Sequence, residues 1–262
     1  MSDKSIDRLS GFAVITGASS GIGLELARRA GEDGLDLLLV ANEPLTKGEA
    51  AARNAGATSI ETLRADLATQ SGIDELMATI GDRPVDALFA NAGRSKGGKY
   101  LDHEWDEIKQ TLDTNVTGTI SLIYRIGRRM RARDAGRILV TGSIVGEMPG
   151  PFNLVYNSTK AFINMFCVGL ANELKDTNVV VTCLTPGAVD TPFFEKAGME
   201  DAAVANGPKA DPADVARAGY DALLDGELQT ANSLTAKFQM IMAEILPDGA
   251  VAALHRKMAK TD

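Results

Sequence analysis

The sequence predicts an α/β protein built on one doubly wound parallel sheet, three layers deep, forming a single domain over residues 1–262. Three observations lead there. Short apolar segments alternate with longer segments of helical period, the order expected when each strand returns through a helix. The strand segments read as apolar on both faces, as strands covered from both sides do. No linker, low-complexity run or solenoid-type repeat divides the chain.

Residues 11–16 form an apolar run that ends in a glycine cluster, a buried first strand. Residues 24–30 continue as a helix with Ile22, Leu26 and Ala30 on one stripe, stopped by Gly31 and Gly34. Residues 35–41 and 59–65 are the second and third strands, separated by an Ala-rich helical stretch ending near Gly56. Ile73, Leu76, Met77 and Ile80 fall in step along the next helix, and Pro84 introduces a fourth strand at 85–90. A long helix is expected over 105–133, then a fifth strand at 137–141, a helix over 152–176 and a sixth strand at 179–184. Asp211 before Pro212 marks a helix start, a capping side chain followed by Pro at the first helical position. That helix runs to about Leu224 and Gly226 closes it; two further apolar helical runs are interrupted by Pro247.

Composition removes several function classes. With 27 Lys and Arg against 35 Asp and Glu, the formal charge of −8 argues against a partner made of phosphates, so no nucleic acid is expected. The first ten residues are polar, without the apolar core of a secretory signal, and no apolar run is long enough to span a membrane. Cys167 and Cys183 lie in apolar segments as small core residues, which fits a reducing cytoplasm, the expected location. His103 and His255 have no partner at metal-ligand spacing, so no metal is predicted.

Gly17, Gly21 and Gly23 stand between the first strand and its helix. Glycine permits the tight turn and lets backbone approach a pyrophosphate, while the helix N-terminus offers unpaired N–H groups and a positive dipole end. Gly17, Ser19, Ser20, Gly21, Ile22 and Gly23 therefore read as a dinucleotide-binding turn, and no Lys-Ser/Thr follows the last glycine as a Walker-type loop would require. At the end of the second strand, Asn42 can hydrogen-bond a ribose, and Glu43 is an acid with no adjacent Arg or Lys. That tilts the expectation towards NAD, with NADP left open. Further on, Tyr156 and Lys160 are four residues apart on one helical face, where an ammonium can lower the pKa of a phenol.

Taken with Asn91-Ala92-Gly93, Asn115, Ser143 and the run from Pro186 to Thr191, these motifs make the chain resemble the short-chain dehydrogenase/reductase family, whose order and spacing it follows over roughly residues 10–225. The resemblance implies a Rossmann-type fold and an NAD(P)-dependent oxidoreductase that moves a hydride between nicotinamide and a carbonyl or secondary alcohol. It implies Tyr156 as general acid or base, Lys160 as the group that favours the phenolate and binds the nicotinamide ribose, Ser143 as polariser of the substrate oxygen, and Asn115 as support for a helix distortion and a water path. By the same resemblance Asp66, with Leu67 beside it, meets the adenine; Asn91, Ala92 and Gly93 floor the adenosine site; and Pro186, Gly187, Val189 and Thr191 hold the carboxamide end. Ala90 stands where relatives often carry asparagine, and residues 226–262 lack the family's valine-aspartate-glycine-glycine ending. The seventh strand, the tail and the usual tetramer assembly are thereby left open.

A substrate flap is expected at about 190–210, and a variable tail at about 226–262. Met148, Phe152, Phe193 and Phe194 fit either an apolar substrate pocket or packing of the flap on the core. Arg94, Lys96 and Lys99 fit either a rim for anionic substrates or a solvated loop; the arginines of 125–137 read as stabilising charges at a helix C-terminus. Expected partners are a small alcohol or ketone and further copies of the chain, since the two long amphipathic helices invite a homodimer or homotetramer. The alternative to an enzyme is a catalytically silent dinucleotide sensor on the same scaffold.

Overall fold

In the computed structural model, which describes residues 4–231 and 247–260, β1 (Phe12–Thr16), β4 (Ala87–Ala90) and β6 (Val179–Leu184) are buried at every position. Strands without a polar face belong inside a parallel sheet. Together with β2 (Asp36–Ala41), β3 (Ser59–Arg64), β5 (Gly136–Thr141) and a two-residue β7 (Gln229–Thr230), they form one sheet in the order β3-β2-β1-β4-β5-β6-β7, and all its pairs are parallel. The chain winds outward from β1 to β3, then returns to the middle at β4 and winds the other way. A ligand crevice is expected at that reversal, outside the carboxyl ends of β1 and β4.

Two apolar layers sandwich the sheet. On one face α1 (Gly21–Glu32), α2 (Thr46–Ala55) and α9 (Pro212–Asp225) pack Leu26, Ala30, Ala52, Val215 and Tyr220 against Ile15, Leu37, Leu39 and Phe89. On the other, α3 (Gln70–Ile80), α5 (Thr119–Ala132) and α6 (Leu154–Glu173) pack Ile73, Leu76, Ile126, Met130, Ile163 and Cys167 against Val14, Leu38, Leu88 and Val140. Cys167 and Cys183 are buried free thiols, as small core residues should be. Two arginines tie elements together: Arg137, buried on β5, donates to the Leu223 and Leu224 carbonyls at the end of α9, and Arg125 of α5 pairs with Asp74 of α3 at 2.8 Å.

Three expectations are corrected. β3 is not covered on both faces; it is the sheet edge, with Glu61 and Arg64 exposed, and such charges discourage a further strand from pairing there. The single helix over 105–133 is interrupted: α4 (Trp105–Leu112) and α5 are joined by a π-helical turn at Asp113–Gly118. There Asn115 turns its amide inward to the backbone of Arg94, while Gly118 lies so close to the Leu67 carbonyl that a Cβ would stand 2.3 Å from it. Finally α6 begins at Leu154 rather than 152, because Phe152 takes φ +66, outside helical geometry.

Between β6 and α9 the chain makes two short helices, α7 (Phe193–Lys196) and α8 (Ala203–Asn206), over the expected flap. After β7, the first of the two apolar runs expected in the tail lies outside the described residues. The second is α10 (Asp248–Ala259), which rests on α8.

Candidate active site

The crevice is a cleft of about 1230 Å³, above the roughly 300–1,000 Å³ of an ordinary small-molecule site. Its size admits two ligands side by side. Glycine geometry builds one end. Gly17 and Gly21 hold φ of +68 and +55, and a Cβ on Gly17 would stand 3.0 Å from the Ala92 backbone. Gly23 is packed tighter still, where a Cβ would come within 2.2 Å of the Gly17 carbonyl. Ser20 occupies the N-cap of α1 without spending its side chain on the cap, and the first turn carries no acid. The helix therefore presents open N–H groups and an unopposed positive end to the cleft, a fit for a pyrophosphate.

The loops after the other strands complete that end. The turn after β4 is stitched to its neighbours: Asn91 and Ala92 donate N–H to the Thr16 hydroxyl, each at 3.0 Å, and Asn91 Oδ1 accepts from Thr141 at 2.9 Å. Asp66 accepts from Ala68 N and lines the cleft with Leu67, Asn42 and Glu43. Pro186, Gly187, Val189 and Thr191 line it from the far side, and Thr191 touches the glycine turn closely enough that a Cβ on Gly21 would meet its methyl at 2.7 Å. Of the expected cofactor contacts, Gly23 alone stands behind the wall rather than on it. One adenosine-side feature was not foreseen: Lys196 of α7 ion-pairs with Glu43, so a cation does flank that acid. It comes from 153 residues away, where no local pattern could reveal it.

At the middle of the cleft the chemistry-bearing side chains meet. Ser143 stands beside the Tyr156 phenol, donates to the Pro186 carbonyl at 3.3 Å and accepts from Val145 N. Lys160, one turn along α6, places Nζ 5.6 Å from the centre of the Tyr156 ring and donates to the Thr141 carbonyl at 2.6 Å. Asn115 does not line the cleft. Its Oδ1 accepts from Arg94 N at 2.9 Å and its Nδ2 donates to Arg94 O and to Thr159. It flanks Gly93 opposite Lys160: a Cβ there would lie 3.5 Å from Asn115 Oδ1 and 3.7 Å from Lys160 Nζ.

The electrostatics differ from the simple expectation that Lys160 lowers the phenol. Tyr156 faces the cleft only in part, and desolvation pushes its pKa well above the ordinary phenol value, opposed by the neighbouring Ser143 hydroxyl. Burial also pulls the Lys160 ammonium down to about 8. The phenol is thus held neutral.

Asn164 was missed at the sequence level. It lies one turn beyond Lys160, buried, with Nδ2 donating to Ser143 O at 2.9 Å and Glu147 at 2.7 Å, and Oδ1 accepting from Ser143 N at 3.4 Å. A polar residue on the buried face of an apolar helix, in phase with Tyr156 and Lys160, was the available signal. Ser95 is likewise turned inward, to Asn153 at 2.5 Å, while Lys96 pairs with Glu107 at 2.9 Å; of the basic loop, Arg94 lines the cleft.

Comparison with known proteins agrees with this geometry. A family model described as short chain dehydrogenase matches residues 11–202. An oxidoreductase of Staphylococcus epidermidis is 32% identical over 185 residues, covering 70% of this chain and 80% of its own. The chain belongs to the short-chain dehydrogenase/reductase family. Mouse 17-beta-hydroxysteroid dehydrogenase type 1 is 36% identical over 193 residues, although the match spans only 55% of that protein. The solved short-chain dehydrogenase from Sphingobium yanoikuyae in complex with NADPH superposes with a TM-score of 0.80 at 27% identity, over 96% of this chain and 97% of that one. As a short-chain dehydrogenase/reductase, this protein is an NAD(P)-dependent oxidoreductase acting on CH–OH or C=O groups. Among the described residues no helix is long and apolar enough to cross a membrane, and no cluster of metal-ligating side chains occurs.

Proposed function

We propose that Tyr156 transfers the proton in this reaction, carried by the one observation that its desolvated phenol stands beside Ser143 and Lys160 in the cleft. When bound, the nicotinamide supplies the hydride to the substrate carbon or takes it away. The chain's own residues handle the oxygen. In reduction Tyr156 gives its proton to the carbonyl oxygen while the Ser143 hydroxyl polarises it; in oxidation the phenolate takes the alcohol proton. Lys160, charged below about pH 8, favours the phenolate that reduction leaves behind. Asn115 acts at one remove, holding the Arg94 backbone and the π turn beside Gly93 and Lys160.

The cofactor segments are assigned to the glycine turn, Asn42 and Glu43, Asp66 and Leu67, the Asn91–Gly93 turn, and Pro186 to Thr191. NAD is preferred over NADP because the Glu43 carboxylate opposes a 2′-phosphate, a repulsion weakened by Lys196. The functional unit is a homodimer or homotetramer, supported by the exposed apolar side chains Trp105, Tyr124, Phe162 and Met165 on α4, α5 and α6.

Tyr156→Phe tests the assignment. It should bind cofactor with unchanged affinity by calorimetry and lose at least about a thousandfold in turnover of any ketone the parent reduces. A variant that keeps its turnover sinks the role of Tyr156; running the parent with both dinucleotides decides the preference.

A further inference from the structure

Beyond Tyr156 the cleft continues away from the glycine turn into a chamber whose outer wall is α10. The residues α10 turns to the cleft are Val251, Leu254, His255, Met258 and Ala259, one stripe at helical spacing, while Arg256 and Lys257 fall off that stripe. The rest of the chamber's lining is also apolar: Met148 and Val204, with Phe193 tilted at 52° against the Tyr156 ring, centroids 5.1 Å apart, and edge-on to Phe194. Flap cations that reach the cleft are already engaged, Lys196 by Glu43 and Lys209 by Asp190.

Leu254 is the informative residue. It lines the cleft and yet is 56% exposed, an apolar side chain facing open space inside a concave site. Apolar surface held in such a place is surface for a ligand to cover. The wall that carries it is fastened. His255 Nδ1 lies 3.1 Å from the Pro151 carbonyl, its Nε2 lies 3.2 Å from Asn157 Nδ2, the neighbour of Tyr156, and Ala259 packs with Met199, Ala197 and Ala202. The cleft, at about 1230 Å³, is also larger than an ordinary small-molecule site.

We propose that the substrate is a bulky ketone or secondary alcohol whose hydrocarbon body lies against Leu254 and Met258 of the C-terminal helix, and that His255 fixes this wall and so helps determine specificity. The proposal rests on the oxidoreductase function above for the reacting group. It rests on α10 alone for the body.

The experiment uses acetone, cyclohexanone and 2-decalone as substrates, with wild type and Leu254→Gln, a change at an exposed position that leaves the core untouched. Wild-type kcat/KM should rise at least about tenfold at each increase in size, the scale on which apolar pockets discriminate. Leu254→Gln should lower the value for 2-decalone at least about tenfold more than that for acetone. A binding measurement runs beside it: 2-naphthol, whose hydroxyl-bearing carbon has no hydrogen to give up, is titrated calorimetrically into both proteins without turnover. It should bind wild type and bind Leu254→Gln at least about fivefold more weakly. Equal efficiency across the three ketones, or an equal loss on all three in the variant, overturns the proposal. Should none of the ketones turn over with either dinucleotide, the assigned chemistry is at fault, and 2-naphthol still decides: equal affinity for the two proteins overturns the apolar chamber.

Discussion

The two ends of the cleft are made of different material. The end assigned above to the dinucleotide is backbone: glycines at positive φ, open N–H groups at the start of α1, and a turn after β4 held by Thr16. The end proposed for the substrate is side chains, brought by the Ser143 loop, residues 193–210 and α10 from three distant parts of the chain. Backbone sites tolerate almost any neighbouring sequence but no added atom where chains nearly touch. Side-chain sites tolerate added atoms and change their ligand instead. The first kind conserves a reaction, and the second varies its target.

The largest effect should come from breaking the backbone end. Gly23→Ala puts a Cβ 2.2 Å from the Gly17 carbonyl and 2.5 Å from Asn91 Nδ2. It should cost about 1–3 kcal/mol of stability, read by chemical denaturation, as overpacked sites do. Cofactor affinity should weaken by at least about tenfold, since a tenfold change needs only about 1.4 kcal/mol of misfit, with efficiency lost equally on every ketone. A loss that depends on the ketone would break the comparison.

An intermediate effect is expected where the two ends join. Asn164→Ala removes the amide that holds both Ser143 backbone groups and Glu147. As a positioning residue it should lower kcat by about ten- to a hundredfold, less than or equal to the loss of a direct oxyanion donor, with little change in cofactor affinity. If KM rises and kcat holds, Asn164 is merely packing. The smallest effect belongs to the substrate end. His255→Ala gives up two hydrogen bonds, worth about 1 kcal/mol net, so KM for a bulky ketone should rise about fivefold while cofactor affinity stays. A shift in cofactor affinity would show that α10 serves both ends.

How much was legible follows the same division. The glycine turn, Asn91–Gly93 and the Tyr156–Lys160 pair were readable because each is a local pattern, its geometry fixed by residues a few positions apart. The π turn at Asp113–Gly118 was half legible: Asn115 is a poor helix former, but its inward bond to Arg94 depends on a loop 21 residues earlier. The exposed edge at β3 was misread because period alone cannot tell an edge from a centre; only the strand order does. The pKa of Tyr156 was read with the wrong leading cause, since spacing shows Lys160 beside it but says nothing of desolvation.

By itself, then, the sequence determined the alternating strands and helices, the glycine turn after the first strand and the pairing of Tyr156 with Lys160 on one helical face, because periodicity and backbone conformation are encoded over short spans of chain. Tertiary structure alone decided that Lys196 meets Glu43, that Asn164 holds Ser143, and that α10 lines the cleft. His255 reaches Asn157 across 98 residues. Contacts of that range are set by how the whole sheet and its layers pack, and no window of sequence contains both partners.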